Sequence, residues 1–254
     1  RGKSGRTLVV AAAVTLSASG GWALPNGGVI TAGDGQINTS PGQMTIDQNS
    51  AKLAIDWQGF SIDSAEQVRF VQPDASAVAL NRVIGQNPSQ ILGGLQANGQ
   101  VFVLNPNGVL FGVNAQVSVG GLVASTLGLS NQDFLDGHYN FAGGSAATVV
   151  NHGHLTAADG GYIALLGSSV SNDGAISARQ GAVDLAAGQA ITLQLDNGAL
   201  VGLTIDQGSA QALALADQNA QLIGQIESNR VRLGWLMGVV AVLAAGLVYL
   251  LLRG

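Results

Sequence analysis

The feature that decides the fold is a repeat in the second half of the chain. Residues 150–157 read VNHGHLTA and are followed by GYIAL at residues 161–165. Residues 171–178 read SNDGAISA and are followed by GAVDL at residues 181–185. Each copy has an asparagine at a bend, a glycine, a short strand, another glycine and a second strand. A repeating unit of about 20 residues in this order is typical of one coil of a β-solenoid.

Stacking the two copies predicts which residues lie above one another. Corresponding asparagines are 21 positions apart and corresponding second-strand leucines are 20 apart, so the spacing slips by one residue. Apolar residues that repeat in this way form a continuous core, and repeated asparagines form a hydrogen-bonded ladder. No L-x-x-L-x-L pattern recurs, which argues against a leucine-rich repeat. The expected stacked pairs are Asn151 with Asn172, Leu155 with Ile176, and Leu165 with Leu185.

Alternating apolar residues predict further strands. Residues 191–195 and 201–205 alternate on either side of Asn197-Gly198. Asn-Gly between alternating runs is the strongest short hairpin signal, because both turn positions need a positive φ. A similar hairpin is predicted around Asp34-Gly35.

The composition limits the classes of protein to which the chain can belong. Of 254 residues, 47% are apolar and only 10% are charged, which argues against a disordered chain. With no cysteine, a disulfide scaffold and a thiolate metal site are excluded. Residues 24–229 hold four basic and fifteen acidic residues, a net charge of −11. Such a body repels phosphate backbones, so no nucleic acid is expected as a partner.

The two ends of the chain differ from its body. Residues 1–23 combine basic residues, an apolar run too short to span a bilayer and a small-residue site ending at Ala23, which predicts a signal peptide. Residues 207–232 predict a helical linker, because their first part is rich in Ala, Gln and Leu. The uncharged run from Leu233 to Leu252 is long enough for a transmembrane helix, with a buried core helix as the alternative.

Between these ends lies a series of long motifs in a fixed order. They are LPNGG at 24–28, IDWQGFSI at 55–62, QPDASAVALNRV at 72–83, NPSQI at 87–91, GQVFVLNPNGVLFG at 99–112 and VGGLVAST at 119–126. Together they resemble the N-terminal secretion domain of filamentous-haemagglutinin-type exoproteins, the TPS domain of two-partner secretion. The resemblance covers about residues 24–206.

The resemblance implies both a fold and a function. The implied fold is all-β, a right-handed parallel β-helix with a β-cap and extra-helical hairpins, and the C-terminal hydrophobic helix is predicted from the apolar run alone. The implied function is a secretion and recognition module, and no enzymatic activity and no cofactor are expected. General secretion machinery would export the chain across the inner membrane of a Gram-negative cell. The periplasmic modules of an outer-membrane β-barrel transporter would then recognise it and release it to the surface or the medium.

The chain departs from this family after about Asp206. Family members continue much further, whereas here the repeats give way to the linker and the apolar run. The expectation is a truncated, degenerate or frame-shifted secretion gene, or a derivative that contacts the membrane through Leu233 to Leu252. Two alternative functions stay open: a surface adhesin that binds glycan or host protein through the β-helix, and a membrane-tethered structural domain.

One candidate recognition site is the turn Asn105-Pro106-Asn107-Gly108, between two apolar strand segments. Proline sets φ at the second turn position, asparagine tolerates the third, and glycine accepts the left-handed conformation that closes the turn. The pattern predicts a rigid turn between strands. The resemblance adds the hypothesis that the transporter recognises this turn.

A second candidate pair is Trp57 and Phe60. These aromatic residues fit the core of an N-terminal cap. The alternative is an exposed strand edge that a transporter strand joins by β-augmentation.

Metal and catalytic sites have few residues to draw on. His152 and His154 are two positions apart and would face the same side of a strand, with Asp159 as the nearest third ligand. Exposed coil residues are the simpler interpretation. Asp133 and Asp136 are spaced like a carboxylate pair and are predicted to be solvated loop acids. No nucleophile, phosphate-binding or zinc-binding motif occurs, so no enzyme is expected.

Overall fold

A computed structural model describes residues 24–196 and 198–208 of the chain. The predicted signal peptide, the linker after Gly208 and the run from Leu233 to Leu252 lie outside these residues. No helix in the described ranges is long and apolar enough to cross a membrane.

Eighteen strands and one short helix make up the described part of the chain. They are β1 Val29–Ala32, β2 Gly35–Ser40, β3 Gln43–Gln48, β4 Lys52–Trp57, β5 Gln67–Val71, β6 Val78–Val83, β7 Ser89–Ile91, β8 Gly94–Ala97, β9 Gln100–Leu104, β10 Val109–Phe111, β11 Gln116–Ser125, α1 Asn131–Asp136, β12 Tyr139–Ala142, β13 Thr148–Asn151, β14 His154–Gly167, β15 Ser169–Asn172, β16 Ala175–Ala178, β17 Ala182–Asp196 and β18 Ala199–Gly208.

Three columns of parallel strands build a β-solenoid, which confirms the predicted β-helix. The first column, here called the open column, runs β3, β5, β8, β11, β14 and β16. The second, here called the covered column, runs β4, β6, β9, β11, β14 and the first part of β17. The third runs β7, β10, β13 and β15. The long strands β11 and β14 pass through both of the first two columns.

The predicted stacking of the repeat is confirmed in register. Asn151 pairs with Asn172, and its side-chain amide donates to the Asn172 side-chain oxygen at 2.7 Å. Leu165 pairs with Leu185, but Leu165 is fully buried whereas Leu185 is 46% exposed. The expected continuous core therefore stops at this coil of the described chain. The physical reason is that no described strand pairs with this part of β17 on the side away from β14.

The N-terminal end of the solenoid is capped by antiparallel strands. β1 pairs with β4 at the start of the covered column, and β2 pairs with β3 at the start of the open column. The predicted hairpin around Asp34-Gly35 is wrong, since β1 and β2 do not pair with each other. Asp34 instead carries the chain from one column to the other, where its carbonyl accepts the Asn49 amide at 2.8 Å. The two-residue turn lies at Pro41-Gly42, where Gly42 has a φ of 74°.

The hairpin predicted near residue 198 is confirmed. β17 and β18 are antiparallel, the last pair is Asp196 with Ala199, and Gly198 has a φ of 84°. Gln207, which was expected to begin a helical linker, belongs to β18 instead and pairs with Ala190. Strand β18 thus continues through Gly208, past the expected boundary at Asp206.

A second hydrophobic core lies outside the solenoid. The inner core fills the space between the columns, while a separate cluster covers the outer face of the covered column. The covering layer consists of α1, β12 and the β17–β18 hairpin. Strands buried on both faces lose the alternation of half-buried strands, and β9 is buried at every position. This outer core was not predicted from the sequence.

The helix α1 corrects the expectation of a loop at Asp133 and Asp136. Ser130 caps the helix by accepting the Asp133 backbone amide at 3.0 Å, and its hydroxyl donates to the Asp133 carboxylate at 2.6 Å. A serine followed three residues later by an acid is a common N-terminal helix signature. Phe134 on this helix is fully buried in the outer core.

Candidate recognition site

The side chain of Asn105 organises the turn between β9 and β10. It is fully buried, and its amide nitrogen donates to the Asn87 carbonyl at 2.9 Å and to the Ser89 hydroxyl at 3.0 Å. Its oxygen accepts the Asn107 backbone amide at 2.9 Å. Every hydrogen bond of this amide is thus made inside the protein. Because an unpaired buried amide costs about 1–3 kcal/mol, Asn105 contributes to folding whatever else it does.

The other turn residues confirm a rigid corner. The Gly108 amide donates to the Asn105 carbonyl at 3.1 Å, and the φ of Gly108 is 117°. The side chain of Asn107 is half-buried and donates to the Gly85 carbonyl at 2.9 Å. Pro106 is exposed, and its carbonyl accepts the Ser145 hydroxyl at 2.5 Å. In the folded domain, Pro106 is therefore the turn residue most open to a partner.

Trp57 and Phe60 pack in the inner core next to the N-terminal cap. Each is 1% exposed, and their rings meet edge to face at 5.6 Å between centroids. The indole nitrogen of Trp57 donates to the side-chain oxygen of Asn81 at 3.0 Å. Asn81 is itself fully buried and bonds to the Phe102 carbonyl at 3.2 Å. This placement agrees with cap-core aromatics, because neither ring lies on a free strand edge.

A buried glutamine ladder joins successive coils and was missed by sequence reasoning. The side-chain amide of Gln72 donates to the Gln48 side-chain oxygen at 3.0 Å and to the Gln100 carbonyl at 3.1 Å. The hydroxyl of Tyr162 donates to the Gln100 side-chain oxygen at 2.6 Å, and the Gln100 side-chain amide reaches the Gly198 carbonyl at 3.1 Å. The only sequence signal was that glutamine recurs at residues 48, 72 and 100, at intervals of 24 and 28 residues that differ from the 20- and 21-residue spacing of the later repeat.

Burial sets the acid–base behaviour of this ladder. Tyr162 is fully buried, and desolvation of the phenolate raises the pKa of Tyr162 well above its ordinary value. The nearby Tyr139 adds a smaller effect in the same direction. The hydroxyl of Tyr162 therefore stays protonated and keeps donating to Gln100 at neutral pH.

Two cations attach the covering layer to the solenoid. The ammonium of Lys52 donates to the Phe134 carbonyl at 2.9 Å and to the Leu135 carbonyl at 2.8 Å, at the C-terminal end of α1. Desolvation lowers the pKa of Lys52, and the charge of Asp136 opposes that shift. Arg82 bonds to Asp56 at 3.2 Å and reaches across to the Leu129 carbonyl. These contacts fix the position of the covering layer.

The candidate metal ligands His152, His154 and Asp159 do not come together into one site. Among the residues with described placements, no three His, Asp or Glu side chains lie close enough to hold an ion. His152 faces Asp173 at 3.7 Å, and His154 is exposed at the start of β14. Asp159, considered as a third ligand, forms an exposed ion pair with Arg179 at 3.1 Å.

The described residues thus form a β-solenoid with an antiparallel cap and a covering layer over one outer face. The profile of the TPS secretion domain family matches residues 23–242. The chain therefore belongs to the TPS secretion domain family, and the predicted resemblance and the predicted all-β solenoid are confirmed.

Two solved secretion domains share this fold. The HMW1 secretion domain of Haemophilus influenzae is 33% identical, with a TM-score of 0.67 over 73% of this chain and 50% of that one. The filamentous hemagglutinin secretion domain is 17% identical, with a TM-score of 0.50 over 74% of this chain and 70% of that one, and shows the fold alone.

Two similar full-length proteins are named heme/hemopexin-binding proteins. One, from Haemophilus influenzae strain Rd, is 36% identical over 191 residues, which is 70% of this chain and 20% of that protein. Another from Haemophilus influenzae is 47% identical over 103 residues, which is 41% of this chain and 11% of that protein. The chain thus spans about a fifth or less of the relatives it matches.

Membership of the family gives the domain its general role. It is the secretion module of a two-partner secretion exoprotein, a class whose members are exported and then secreted or displayed at the cell surface. Domains of this class engage outer-membrane β-barrel transporters. The family is one of secretion domains of adhesin-like exoproteins rather than of known enzymes.

Proposed function

We propose that the periplasmic modules of an outer-membrane β-barrel transporter bind this domain before its coils have stacked, and that they recognise the turn at residues 105–108. The observation that carries the proposal is the complete burial of Asn105 in the folded domain. A partner can contact this side chain only while the surrounding coils are open. Trp57 and Phe60 are buried in the same way and become available at the same stage.

The outer core supports the same order of events. Phe102 contacts Tyr139 and Phe141 with ring centroids 5.5 and 6.2 Å apart. Ile191, in the same cluster, follows Phe102 in the chain by many residues. Until these later segments arrive, the outer face of the covered column exposes apolar surface that a transporter can hold. Folding outside the cell then buries that surface and opposes return.

We extend the proposal to the chain ends. Residues 1–23 act as a signal peptide that is removed after Ala23, the secretion domain includes residues 24–208, and the segment after Gly208 links it to a membrane contact at 233–252. N-terminal sequencing of periplasmic material that begins far from Leu24 would contradict the first point. Fractionation of the chain with and without residues 230–254 tests the last, since an unchanged distribution would rule out the membrane contact.

The test of recognition compares two buried turn asparagines. Asn151 resembles Asn105, because it is fully buried and its side-chain oxygen accepts the Gly153 amide at 3.0 Å. Each change to alanine should lower the free energy of unfolding by about 1–3 kcal/mol. With the transporter co-expressed, Asn105→Ala should reduce secretion into the medium more than Asn151→Ala does at matched stability.

Two outcomes would contradict the proposal in different ways. Secretion that falls in proportion to stability in both variants would show that Asn105 is only a scaffold residue. Purified periplasmic modules that bind neither the urea-unfolded nor the refolding wild-type chain would contradict recognition before stacking.

A further inference from the structure

The open column carries a polar groove that the secretion role does not use. Two adjoining cavities of about 400 and 380 Å³ share Ala97, Asn98 and Ser118. The first extends toward Arg69, and the second toward Thr156 and Arg179. Together they form one shallow channel, here called the corner groove, beside the bend at which β11 and β14 pass from the open column to the covered column. Its direction is along the solenoid axis, across successive coils.

The register of the solenoid places one polar side chain per coil along this groove. Arg69 pairs with Gln96, Gln96 with Ser118, and Ser118 with Thr156, which in turn pairs with Ser177. All five are exposed, because their neighbours on the same strands point into the inner core. Neighbouring strands are about 4.8 Å apart, so the groove offers hydrogen-bonding groups at a regular repeat.

The middle of the groove is held in place before any ligand binds. The Asn98 side chain accepts the Gln72 backbone amide and donates to the Gln72 carbonyl, both at 2.8 Å. The bend beside it is fixed by the Gly120 amide, which donates to the Gly99 carbonyl at 2.7 Å. At the far end, Arg179 is held by Asp159 at 3.1 Å. A preformed site loses less conformational entropy on binding.

The chemistry of the groove points to a particular class of ligand. The strands beneath it already pair with neighbours on both sides, so a peptide cannot join as an extra strand. Hydroxyl, amide and guanidinium groups that repeat at a constant spacing match the hydroxyl groups of an extended sugar chain. Arg69 makes no ion pair among the described residues, which leaves its donors free. A polyanion is disfavoured, because the body of the protein carries a net charge of −11.

We propose that the corner groove binds a linear, uncharged glycan that lies along the solenoid axis. The adhesin function left open by the sequence would then have a defined location. Asp159 is the one carboxylate among the described residues that line the groove, whereas glycosidases commonly use a pair of carboxylates, so the proposed role is binding without cleavage. The proposal is independent of transporter recognition, since the two sites use different residues.

The test measures binding of soluble neutral oligosaccharides to the folded full chain by calorimetry. Cellohexaose and chitohexaose are the probes, and a heparin hexasaccharide is the charged comparison. Ser118→Trp fills the centre of the groove, while Gln116→Trp places the same side chain outside it on the same face of β11. Ser118→Trp should weaken binding about tenfold or more, as expected for loss of one or two hydrogen bonds, and Gln116→Trp should not.

Several results would overturn the proposal. They are no binding of either neutral probe at millimolar concentration, binding of heparin alone, or an equal loss of affinity in the two tryptophan variants. If Ser118→Trp does not fold, Arg69→Gln replaces it, because Arg69 is exposed and makes no ion pair in the described ranges. Unchanged affinity in Arg69→Gln would then count against the groove.

Discussion

The open and covered columns share the long strands β11 and β14 but differ on their outer faces. In β11 the first four residues alternate between exposed and buried, whereas the last five, beginning at Gly121, are almost completely buried. The inner face is apolar in both halves. The difference arises because α1, β12 and the β17–β18 hairpin cover one half and leave the other to solvent. One strand can therefore serve as a binding surface at one end and as a structural core at the other.

The two halves also differ in when they can form. The inner core needs only consecutive coils, which are near in sequence. The outer core joins Phe102 to Tyr139, Phe141 and Ile191, so it closes large loops before it gains contacts. We expect the covering layer to be the less stable part of the domain and the last part to fold.

The largest effect is expected from a charge in the inner core. Leu165→Asp buries an unpaired carboxylate, which should cost several kcal/mol and unfold a domain of ordinary stability. The control is Leu185→Asp, because Leu185 pairs with Leu165 in register but is 46% exposed. Thermal unfolding followed by circular dichroism measures both. A cooperative transition that Leu165→Asp leaves unchanged would show that this leucine is not inside.

A smaller effect is expected in the outer core. Phe102→Ala removes the ring that contacts Phe134, Tyr139 and Phe141, and should lower stability by about 3–5 kcal/mol. Hydrogen exchange should increase first in residues 127–142 and 189–205. Thr156→Ala on the open column is the control and should change little. Equal loss of protection in all three columns would mean that the two cores form one cooperative unit.

The next prediction concerns the pH dependence of stability, which Tyr162 of the glutamine ladder should control. Because burial raises the pKa of Tyr162 above that of the unfolded chain, the folded state holds the phenolic proton more tightly. The resulting stability is present below pH about 10 and should fall by about 1.4 kcal/mol per pH unit above it. Tyr162→Phe should cost about 1–3 kcal/mol at neutral pH, since the Gln100 oxygen loses its donor.

Urea unfolding between pH 8 and 11 measures this slope. In Tyr162→Phe the fall of stability with rising pH should become shallower. A smaller slope should stay, because burial also raises the pKa of Tyr139. A slope identical to that of the wild type would show that Tyr162 is not protected from ionisation.

The smallest effect compares one cation from each half. Lys52→Met removes two bonds to the end of α1 and should cost about 1 kcal/mol, with faster exchange confined to α1 and β12. Arg179→Met on the open column removes an exposed ion pair, which should cost about 0.5 kcal/mol or less. If Arg179→Met lowered the free energy of unfolding more than Lys52→Met does, Lys52 would not be an attachment point of the covering layer.

The sequence by itself determined the repeating coil, the register of the repeat and the turns at residues 105–108 and 197–198. The alternation of apolar and polar residues indicates which side of a strand faces inward, and the repeat containing Asn151 and Asn172 indicates which residues stack. The turn at residues 105–108 could also be predicted, since proline and glycine restrict φ locally. Local rules suffice here because each of these features depends on residues within about one coil of each other.

Tertiary structure decided what covers the outward faces. Nothing near Phe102 in the sequence indicates that Phe141 and Ile191 pack on it, and a continuously buried strand such as β9 shows no alternation to interpret. The same applies to Asn105, whose turn was predictable but whose burial depends on Asn87 and Ser89 of the preceding coil. The hairpin expected at Asp34-Gly35 does not form, and the chain there passes from one column to the other. The reason is that β1 pairs with β4 and β2 pairs with β3, which satisfies both open strand edges of the first coil. A residue pattern specifies the face of a strand that points inward, but only the folded chain specifies which distant segment lies against the other face.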